Sequence, residues 1–413
     1  MVRKILLLLL FPGILFVTDI KSQPKVKTGI EVLVSNDFDV LQGKRVGLIT
    51  NATGVDSKLR STIDILYEAQ EVNLVALYGP EHGVRGDYSA GEHVGFYTDE
   101  KTGLPVYSLY GKTRKPTPEM LKDIDVLVYD IQDIGCRSYT FISTMGYAMT
   151  AAAENNIGFV VLDRPNPLGG KKIEGAIVEE GYYSMVSAFP IPYVYGLTCG
   201  ELANLLNKEK LLSGKKSCKL TVVPMKGWER KMKFEDTGLE WVLSSPHIPH
   251  AYSAPYYVAT GVMGELGVFT EGVGYTLPFQ IYAAEWIDPF KLAETMTALG
   301  LKGVIFRPVI FKPYYGKWAK KEMKGVQIHI IDADKFNLMG LQFMFMDVHH
   351  AIYPDIDVYG LSTTRHNMFD KVTGSSKIRE VFFENYKYSD IEPILNKDVE
   401  SFRKLSKKYY LYK

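Results

Sequence analysis

The stretch DVLVYDIQDIGCR, residues 125–137, joins a short apolar run to a loop rich in polar side chains. Residues 126–129 are all apolar, which is typical of a strand that is buried on both faces of a sheet. The residues that follow carry the charges and hydrogen-bonding groups that a functional site uses. This pattern predicts an α/β sheet with functional side chains at the carboxyl ends of its strands.

The same alternation extends on both sides of this stretch. Further buried strands are predicted at residues 44–50, 72–78, 106–110 and 158–162, and helices at residues 57–69, 118–122 and 139–155. Val/Ile/Leu-rich strands separated by helices indicate a parallel sheet covered on both faces, so we predict a Rossmann-like, doubly wound α/β domain. After the first strand, residues 51–54 read NATG instead of a G-x-G-x-x-G phosphate loop, so no dinucleotide site and no cofactor is predicted.

The second half of the chain shows a weaker α/β pattern. A helix at 197–207 and a strand at 219–224 are followed by residues 243–279, which lack periodicity and are interpreted as functional loops. Beyond them we predict helices at 289–299 and 335–350, strands at 303–311 and 325–331, and a helical tail at 375–405. The prediction is a Rossmann-like catalytic domain over residues 27–279 and a smaller C-terminal α/β (α+β) domain over residues 280–413, with a cleft between them.

The N-terminal residues indicate a secreted protein. Arg3 and Lys4 precede an apolar run at residues 5–17 and a polar exit, which is the pattern of a secretory signal peptide over residues 1–22. The run is too short to span a membrane, and no Cys lies near the cleavage point to carry a lipid anchor. We expect a secreted protein without a membrane anchor, periplasmic where the bacterium has an outer membrane.

Composition excludes two classes. The chain has 413 residues, with 48 Lys+Arg against 47 Asp+Glu, and this balance argues against a nucleic-acid-binding protein. Three cysteines, Cys136, Cys199 and Cys218, cannot all pair within one chain, so a disulfide scaffold is not expected. Buried free thiols are favoured, with a Cys199–Cys218 bridge as the alternative. The sequence does not fix the oligomeric state.

Polar residues follow the ends of four predicted strands and should therefore meet at one edge of the sheet. They are Asn51, Glu81, His82, Arg85, Asp130, Gln132, Asp133, Arg137, Asp163, Arg164 and Asn166. Glu81 lies between Pro80 and Gly83, in a loop whose backbone is restricted, and a rigidly held Glu suits a general acid. His82 is either a second acid/base group or an edge histidine. Asp130 and Asp133 are candidates for a second carboxylate.

Two alternatives stay open at this point. Asp130 or Asp163 can instead form structural ion pairs with Arg137 or Arg164. A metal site would use Glu81, His82, His93, Asp130 and Asp133, but their spacing matches no recognised metal motif, so no metal is predicted. A serine hydrolase is disfavoured because no G-x-S-x-G motif follows a strand.

These motifs resemble the NamZ family of exo-acting β-N-acetylmuramidases, formerly a bacterial domain of unknown function. The resemblance is carried by residues 79–86 (GPEHGVRG), 129–140 (YDIQDIGCRSYT), 162–170 (LDRPNPLGG), 196–201 (GLTCGE) and 270–279 (TEGVGYTLPF). It implies a Rossmann-like N-terminal domain, a smaller C-terminal domain and release of N-acetylmuramic acid from the non-reducing ends of peptidoglycan fragments. It also implies that Glu81 is the catalytic glutamate.

The sequence departs from the family pattern twice. The family's Pro-Ser-Pro-Asn is Ser244-Ser245-Pro246-His247 here, and its Glu-Gly-Arg-Gly-Thr is replaced by residues 271–276, EGVGYT. Losing an Arg removes a rigid fork suited to a carboxylate such as the muramic lactyl group. Within these segments His247, Glu271 and Tyr275 are predicted to bind substrate.

The leading hypothesis is a glycoside hydrolase in which Glu81 protonates the leaving oxygen. Asp130, or Asp133, would attack the anomeric carbon, activate water or orient a substrate acetamido group that acts as nucleophile. Arg85, Arg137 and Arg164 would grip the lactyl carboxylate or hold the loops. Tyrosines within residues 252–257, together with Tyr275, would stack on sugar rings. The alternatives are a non-catalytic muropeptide- or glycan-binding protein on the same fold and, less favoured, a metal-dependent hydrolase.

Overall fold

The structure is a computed structural model and describes residues 25–81, 83–86 and 95–413. Its strands are β1 Arg45–Thr50, β2 Asn73–Gly79, β3 Tyr97–Thr98, β4 Pro105–Ser108, β5 Val126–Asp130, β6 Gly158–Leu162, β7 Lys219–Val223, β8 Ile281–Ala284, β9 Val304–Phe311 and β10 Met323–Ile330. Within these ranges seven strands form one sheet in the order β3-β4-β2-β1-β5-β6-β7, and three form a second sheet in the order β8-β10-β9.

The helices are α1 Gly29–Ser35, α2 Thr62–Glu68, α3 Phe141–Glu154, α4 Cys199–Lys208, α5 Ser253–Gly264, α6 Pro289–Ala298, α7 Leu338–Ile352, α8 Val358–Leu361, α9 His366–Thr373, α10 Ser376–Asn385, α11 Tyr388–Asn396 and α12 Val399–Ser406. No helix in the described ranges is long and apolar enough to cross a membrane. Residues 1–22, where the signal peptide is predicted, lie outside those ranges.

The large sheet confirms the predicted doubly wound fold. Its strands from β4 to β7 are parallel, and only the two-residue β3 is antiparallel to its neighbour. Alternate strand residues pack into two cores: Leu48 and Val128 lie with α1 and α2 on one face, whereas Tyr129 and Phe159 lie with α3 and α4 on the other. The second core is continuous with the C-terminal part of the chain.

Three local predictions are wrong. Residues 118–122 form turns, and α2 begins only at Thr62, because Asp56 accepts from the backbone N–H groups of Lys58 and Arg60 and holds the preceding residues in a turn. The stretch 243–279 contains the helix α5, whose Ala, Gly and Ser residues obscure the apolar periodicity. β8 was not predicted, because its four residues are too few to show a pattern.

The C-terminal part is an antiparallel sheet packed by helices. α6 lies against β9 and β10, and α5 packs on α7. The chain then returns to the large sheet: the hydroxyl of Tyr412 donates to Asp163, and the backbone N–H of Leu411 donates to Glu201. Glu201 also forms a buried ion pair with Arg230, 2.6 Å apart. The last residues of the chain are therefore part of the N-terminal core.

The cysteines are free, as the composition favoured. Cys136 and Cys199 are buried and Cys218 is partly buried, and none of the three forms a disulfide. Burial raises the pKa of Cys136 and of Cys218 to about 11, so these thiols stay protonated at neutral pH. Cys136 and Cys199 belong to the hydrophobic core, and Cys218 packs against it.

Candidate active site

The large sheet reverses its winding between β1 and β5, which are adjacent although β2 follows β1 along the chain. In open parallel sheets such a reversal opens a crevice beyond the carboxyl ends of the strands, where ligands bind. Here Thr50 at the end of β1 lies beside Asp130 at the end of β5. A narrow pocket opens at this edge, lined by Thr53, Gln132, Arg164 and residues 239–242.

Glu81 lies directly beyond the end of β2 and is partly exposed. The backbone N–H of Gly83 donates to the carbonyl of Pro80, and Gly83 has φ of 75°, a conformation that favours glycine. Burial first, and then the charge and hydrogen bond of the nearby Glu81 carboxylate, raise the pKa of Tyr110 to about 12. A tight turn and a tyrosine therefore position the Glu81 side chain.

Tyr139 lies within the electrostatic influence of Glu81 and of a second carboxyl group. Burial is the main cause that raises the pKa of Tyr139, and the negative charges of both Asp133 and Glu81 add to it. Its hydroxyl donates to Ser244, at 2.7 Å, and its ring packs edge-on against Tyr257, 5.7 Å away between centroids. The Tyr139 side chain thus contacts both the loop that carries Ser244 and the helix α5.

Asp133 is a buried carboxyl group in which only one of the two oxygens accepts hydrogen bonds from the protein. Oδ2 accepts from the hydroxyl of Tyr195 and from the backbone N–H of Gly135, whereas Oδ1 is buried and has no hydrogen-bond partner in the described part of the chain. Burial raises the pKa of Asp133 to about 6 despite these donors. A ligand N–H would supply the missing donor.

The geometry favours the ion-pair alternative for Asp130 and Arg164. The Arg164 guanidinium donates to both oxygens of Asp130, and the Thr62 hydroxyl donates to Oδ2 as well. Asp130 is fully buried. With both oxygens occupied by protein donors, Asp130 is not available as a nucleophile or base. Arg164 also donates to the carbonyl of Val55, so the pair holds the loops at the sheet edge.

Arg137 binds backbone carbonyl groups and one hydroxyl rather than the predicted aspartates. Its guanidinium is buried and donates to the carbonyls of Ala176, Ile191, Val372 and Thr373 and to the hydroxyl of Ser187. Burial lowers its pKa to about 10. One side chain therefore joins residues 176–191 of the N-terminal part to the end of α9.

Replacing Arg137 by Met is expected to cost about 3 kcal/mol of unfolding free energy, because it leaves four buried carbonyl groups without their donor. Arg137→Lys retains a charge but not the planar fork, so we expect most of the same loss. The midpoint of urea unfolding measures this, with the exposed Arg60→Met as the control. A midpoint within experimental error of the unmodified protein would contradict the structural role.

Four further predicted residues are engaged within the protein, and the geometry does not support substrate contact for them. Asp163 is fully buried and accepts from Thr198, Gly200 and Tyr412. The remaining side chains form local bonds: Asn51 with Thr53, Asn166 with Leu168 and Leu197, and Arg85 with Asp99 and Asp64. They fix the loops that carry Glu81 and Asp133.

Gln132 is the predicted residue whose position still suits substrate contact. Its side-chain amide donates to the carbonyls of Asp133 and Pro165, and the residue lines the pocket at the sheet edge. His82 lies outside the described residues. Among the described residues, no group of three or more His, Cys, Asp or Glu side chains is arranged to hold a metal ion.

The other predicted residues come from the segment between residues 243 and 279. His247 Nε2 lies 2.8 Å from the hydroxyl of Tyr315, and Tyr275 stacks on Tyr314 with 5.6 Å between centroids. Desolvation is the main cause that raises the pKa of Glu271 to about 7. Of the tyrosines in residues 252–257, Tyr257 faces Tyr139, whereas Tyr252 is half exposed and stacks on His250.

The raised carboxyl pKa values predict how stability changes with pH. Asp133 and Asp163 have pKa values of about 6 and Glu271 of about 7, all above the unfolded values of roughly 4. The folded state thus binds more protons between these limits, and its unfolding free energy falls as pH rises from about 4.5 to 7. Burial lowers the pKa of His349 to about 4, so the folded state binds fewer protons at this residue than the unfolded state does. This effect opposes that of the three carboxyl groups and cancels part of it.

We therefore expect the unfolding free energy to be about 2 kcal/mol or more higher at pH 5.5 than at pH 7.5. Chemical denaturation at several pH values measures it. Glu271→Gln should flatten the dependence above pH 6, whereas the exposed Glu180→Gln should not. Stability that rises from pH 5.5 to 7.5 would contradict the assignment of these pKa values.

Sequence reasoning missed Tyr110, Tyr139, Tyr195 and Ser244 as members of the site. Tyr139 stands inside a motif used for the resemblance, but a tyrosine two residues before a helix also suits a core position. Ser244 lies more than 100 residues from Tyr139, so only the fold brings them together. The signal available in the sequence was the unusual number of tyrosines, 27 in the chain.

Comparison with known proteins places this geometry in a family. The description "Exo-beta-N-acetylmuramidase NamZ, N-terminal" matches residues 46–252, and its C-terminal counterpart matches residues 255–412. The chain belongs to the NamZ family. These two matches meet at the start of α5, whereas the sequence prediction divides the chain at residue 280. NamZ membership assigns the chain to the glycosidases.

The NamZ relatives cover nearly the whole chain. Peptidoglycan β-N-acetylmuramidase NamZ of Bacillus subtilis (strain 168) is 48% identical over 391 residues, which are 95% of this chain and 92% of that protein. Two crystal structures of DUF1343 family proteins from Bacteroides fragilis NCTC 9343 are also similar. One has a TM-score of 0.91 at 60% identity, covering 95% of this chain and 100% of its own. The other has 0.74 at 28% identity, covering 94% and 99%.

Proposed function

We propose that the protein is a secreted exo-β-N-acetylmuramidase that removes N-acetylmuramic acid from the non-reducing ends of peptidoglycan fragments. The observation that carries the proposal is the 48% identity, over nearly the full length of both chains, to a peptidoglycan β-N-acetylmuramidase. Glu81, at the carboxyl end of β2, supports it, because it supplies a partly exposed acid held by a tight turn.

In the proposed reaction Glu81 is the general acid. As the bond between the anomeric carbon and the leaving oxygen breaks, the Glu81 proton moves to that oxygen. Water then attacks the anomeric carbon, and the Glu81 carboxylate takes a proton from it. The partly exposed position of Glu81 leaves its carboxyl group accessible to both the leaving group and the water.

The substrate acetamido group is the proposed nucleophile of the first step. Its carbonyl oxygen bonds to the anomeric carbon while the leaving group departs, which gives a cyclic oxazolinium ion that water opens. Asp133 would accept a hydrogen bond from the acetamido N–H at Oδ1, the oxygen that lacks a donor. Asp130 does not serve here, because Arg164 and Thr62 occupy both its oxygens.

The direct test is hydrolysis of a chromogenic β-N-acetylmuramide, compared with the matching β-N-acetylglucosaminide. Release from the muramide alone is the expected result. Binding of peptidoglycan fragments without any release of sugar would favour the non-catalytic alternative. Rates that fall in proportion as the acetamido group is fluorinated would support its role as nucleophile, and rates insensitive to fluorination would contradict it.

Secretion is proposed from the residues at the N-terminus, where Arg3 and Lys4 precede an apolar run. In a bacterium with an outer membrane the mature protein would be periplasmic. Expression of the full chain, followed by osmotic-shock fractionation and N-terminal sequencing, tests this. A mature N-terminus near residue 23 in the periplasmic fraction is the expected result, and an uncleaved chain in the cytoplasm would contradict it.

A further inference from the structure

The tip of the β9–β10 hairpin, residues 312–321, is an exposed aromatic and cationic surface that the proposed chemistry does not use. Tyr314 is 69% exposed and Tyr315 is 53% exposed, which is unusual for large aromatic side chains. Four lysines and no acidic residue occur in these ten positions: Lys312, Lys317, Lys320 and Lys321. We call residues 312–321 the hairpin tip.

The hairpin tip is held in place by contacts with the rest of the protein. The backbone N–H of Tyr314 donates to the carbonyl of Gly274, at 2.7 Å, and its ring stacks on Tyr275. Gly274 has φ of 93°, and a Cβ there would lie 2.4 Å from the carbonyl oxygen of Tyr315. The Lys317 ammonium donates to the carbonyl of Gly267. Aromatic faces fixed in this way bind with little further loss of conformational entropy.

The hairpin tip also connects to the candidate active site. The hydroxyl of Tyr315 lies 2.8 Å from His247, whose ring stacks on that of Tyr315. His247 is three residues after Ser244, which accepts from Tyr139, and three residues span at most about 10 Å. The hairpin tip is therefore linked, through His247 and the loop that carries Ser244, to the hydroxyl of Tyr139. Besides burial, the charges of Asp133 and Glu81 both raise the pKa of this hydroxyl.

We propose that the hairpin tip binds the leaving-group side of a peptidoglycan glycan chain, beyond the sugar that Glu81 helps to release; this inference rests on the proposed function. An enzyme that removes the terminal sugar must let the rest of the chain extend away from the site. Each peptide-free muramic unit in that chain carries a free lactyl carboxylate, which is complementary to the charges of Lys312 and Lys320. The exposed tyrosine faces suit the apolar faces of the sugar rings.

The experiment compares a short and a long substrate. The chromogenic monosaccharide has no glycan on its leaving side, whereas a peptide-free tetrasaccharide with N-acetylmuramic acid at its non-reducing end does. For Lys312→Glu/Lys320→Glu, and separately for Tyr314→Ala, we expect kcat/KM on the tetrasaccharide to fall about 10-fold, mainly through KM. Activity on the monosaccharide should stay within about twofold. The loss from the lysine exchange should shrink in 0.5 M NaCl, because salt screens exposed charges.

Matched controls use exposed residues elsewhere: Lys122→Glu/Lys208→Glu for charge and Tyr67→Ala for an aromatic ring. Equal losses on both substrates, or no loss on the tetrasaccharide, would overturn the proposal. If the unmodified protein hydrolyses neither substrate, the proposed function fails. Calorimetric titration of the tetrasaccharide then still tests the hairpin tip, because weaker binding by its variants than by the controls supports it and equal binding contradicts it.

Discussion

Replacing Glu81 by Gln is expected to lower kcat/KM by about 10³-fold for a β-N-acetylmuramide with a poor, alkyl leaving group. Glutamine matches glutamate in size, so the turn closed by Gly83 and Pro80 is retained, but it has no proton to give to the leaving oxygen. The measurement is initial rate against substrate concentration, with Glu180→Gln as an exposed control of the same chemistry.

The dependence of the rate on the leaving group distinguishes the loss of a general acid from a structural defect in the variant. A nitrophenolate needs little protonation as it departs, so Glu81→Gln should reduce its release far less than that of the alkyl group. Equal losses for both leaving groups would show that Glu81 does not act as the acid. A variant with unmodified rates on both would remove Glu81 from the mechanism.

Replacing Asp133 by Asn is expected to lower kcat/KM by about 10²-fold or more. Tyr195 and Gly135 both donate to Oδ2, so the amide oxygen must take that position and its NH₂ must replace Oδ1. A donor then faces the acetamido N–H, which also donates. The fold should persist, because a neutral amide lacks the cost of burying a charged carboxylate. A urea midpoint at pH 7.5 that is not lowered is the control.

The pH profile identifies Asp133 more specifically. If the ionised carboxylate orients the substrate, kcat/KM should fall on the acidic side with an apparent pKa of about 6. The Tyr195 hydroxyl is the donor that most lowers this pKa, so Tyr195→Phe should move the acidic limb to higher pH. The exposed Tyr183→Phe should leave it in place. An acidic limb that persists unchanged in Asp133→Asn would assign it to another group.

The fold was largely predictable because the strands are short, apolar and separated by clear turns. Residues 158–162 match β6, because a buried parallel strand needs near-continuous Val, Ile and Leu. The predicted strand at 219–224 extends the edge strand β7 by one residue. α5 escaped prediction because it is buried on several sides and its small residues leave no polar face for a periodic signal. Boundaries such as the start of α2 depend on one side chain, Asp56, capping a turn.

The site was predictable by position but not by role. The rule that functional groups follow parallel strands places Glu81, Asp130, Asp133 and Asp163 at one edge, and all four lie there. Some of these carboxylates accept hydrogen bonds from residues distant in sequence and are therefore not free for substrate. Arg164 and Thr62 donate to Asp130, and Tyr412 donates to Asp163. Such partners have no signature in the local sequence, so a structural aspartate and a functional one look alike in the sequence.

The return of the chain end to the large sheet has a consequence for synthesis and for protein engineering. The ring of Tyr410 lies 3.3 Å from the Arg230 guanidinium, and the carbonyl of Lys413 accepts from the backbone of Arg230. During translation the N-terminal half therefore emerges long before the residues that complete its core. A fragment ending near residue 252 would leave Asp163 and Glu201 short of donors, so the two halves matched by the family should not be expressed separately. An affinity tag joined directly to Lys413 would lie against these contacts.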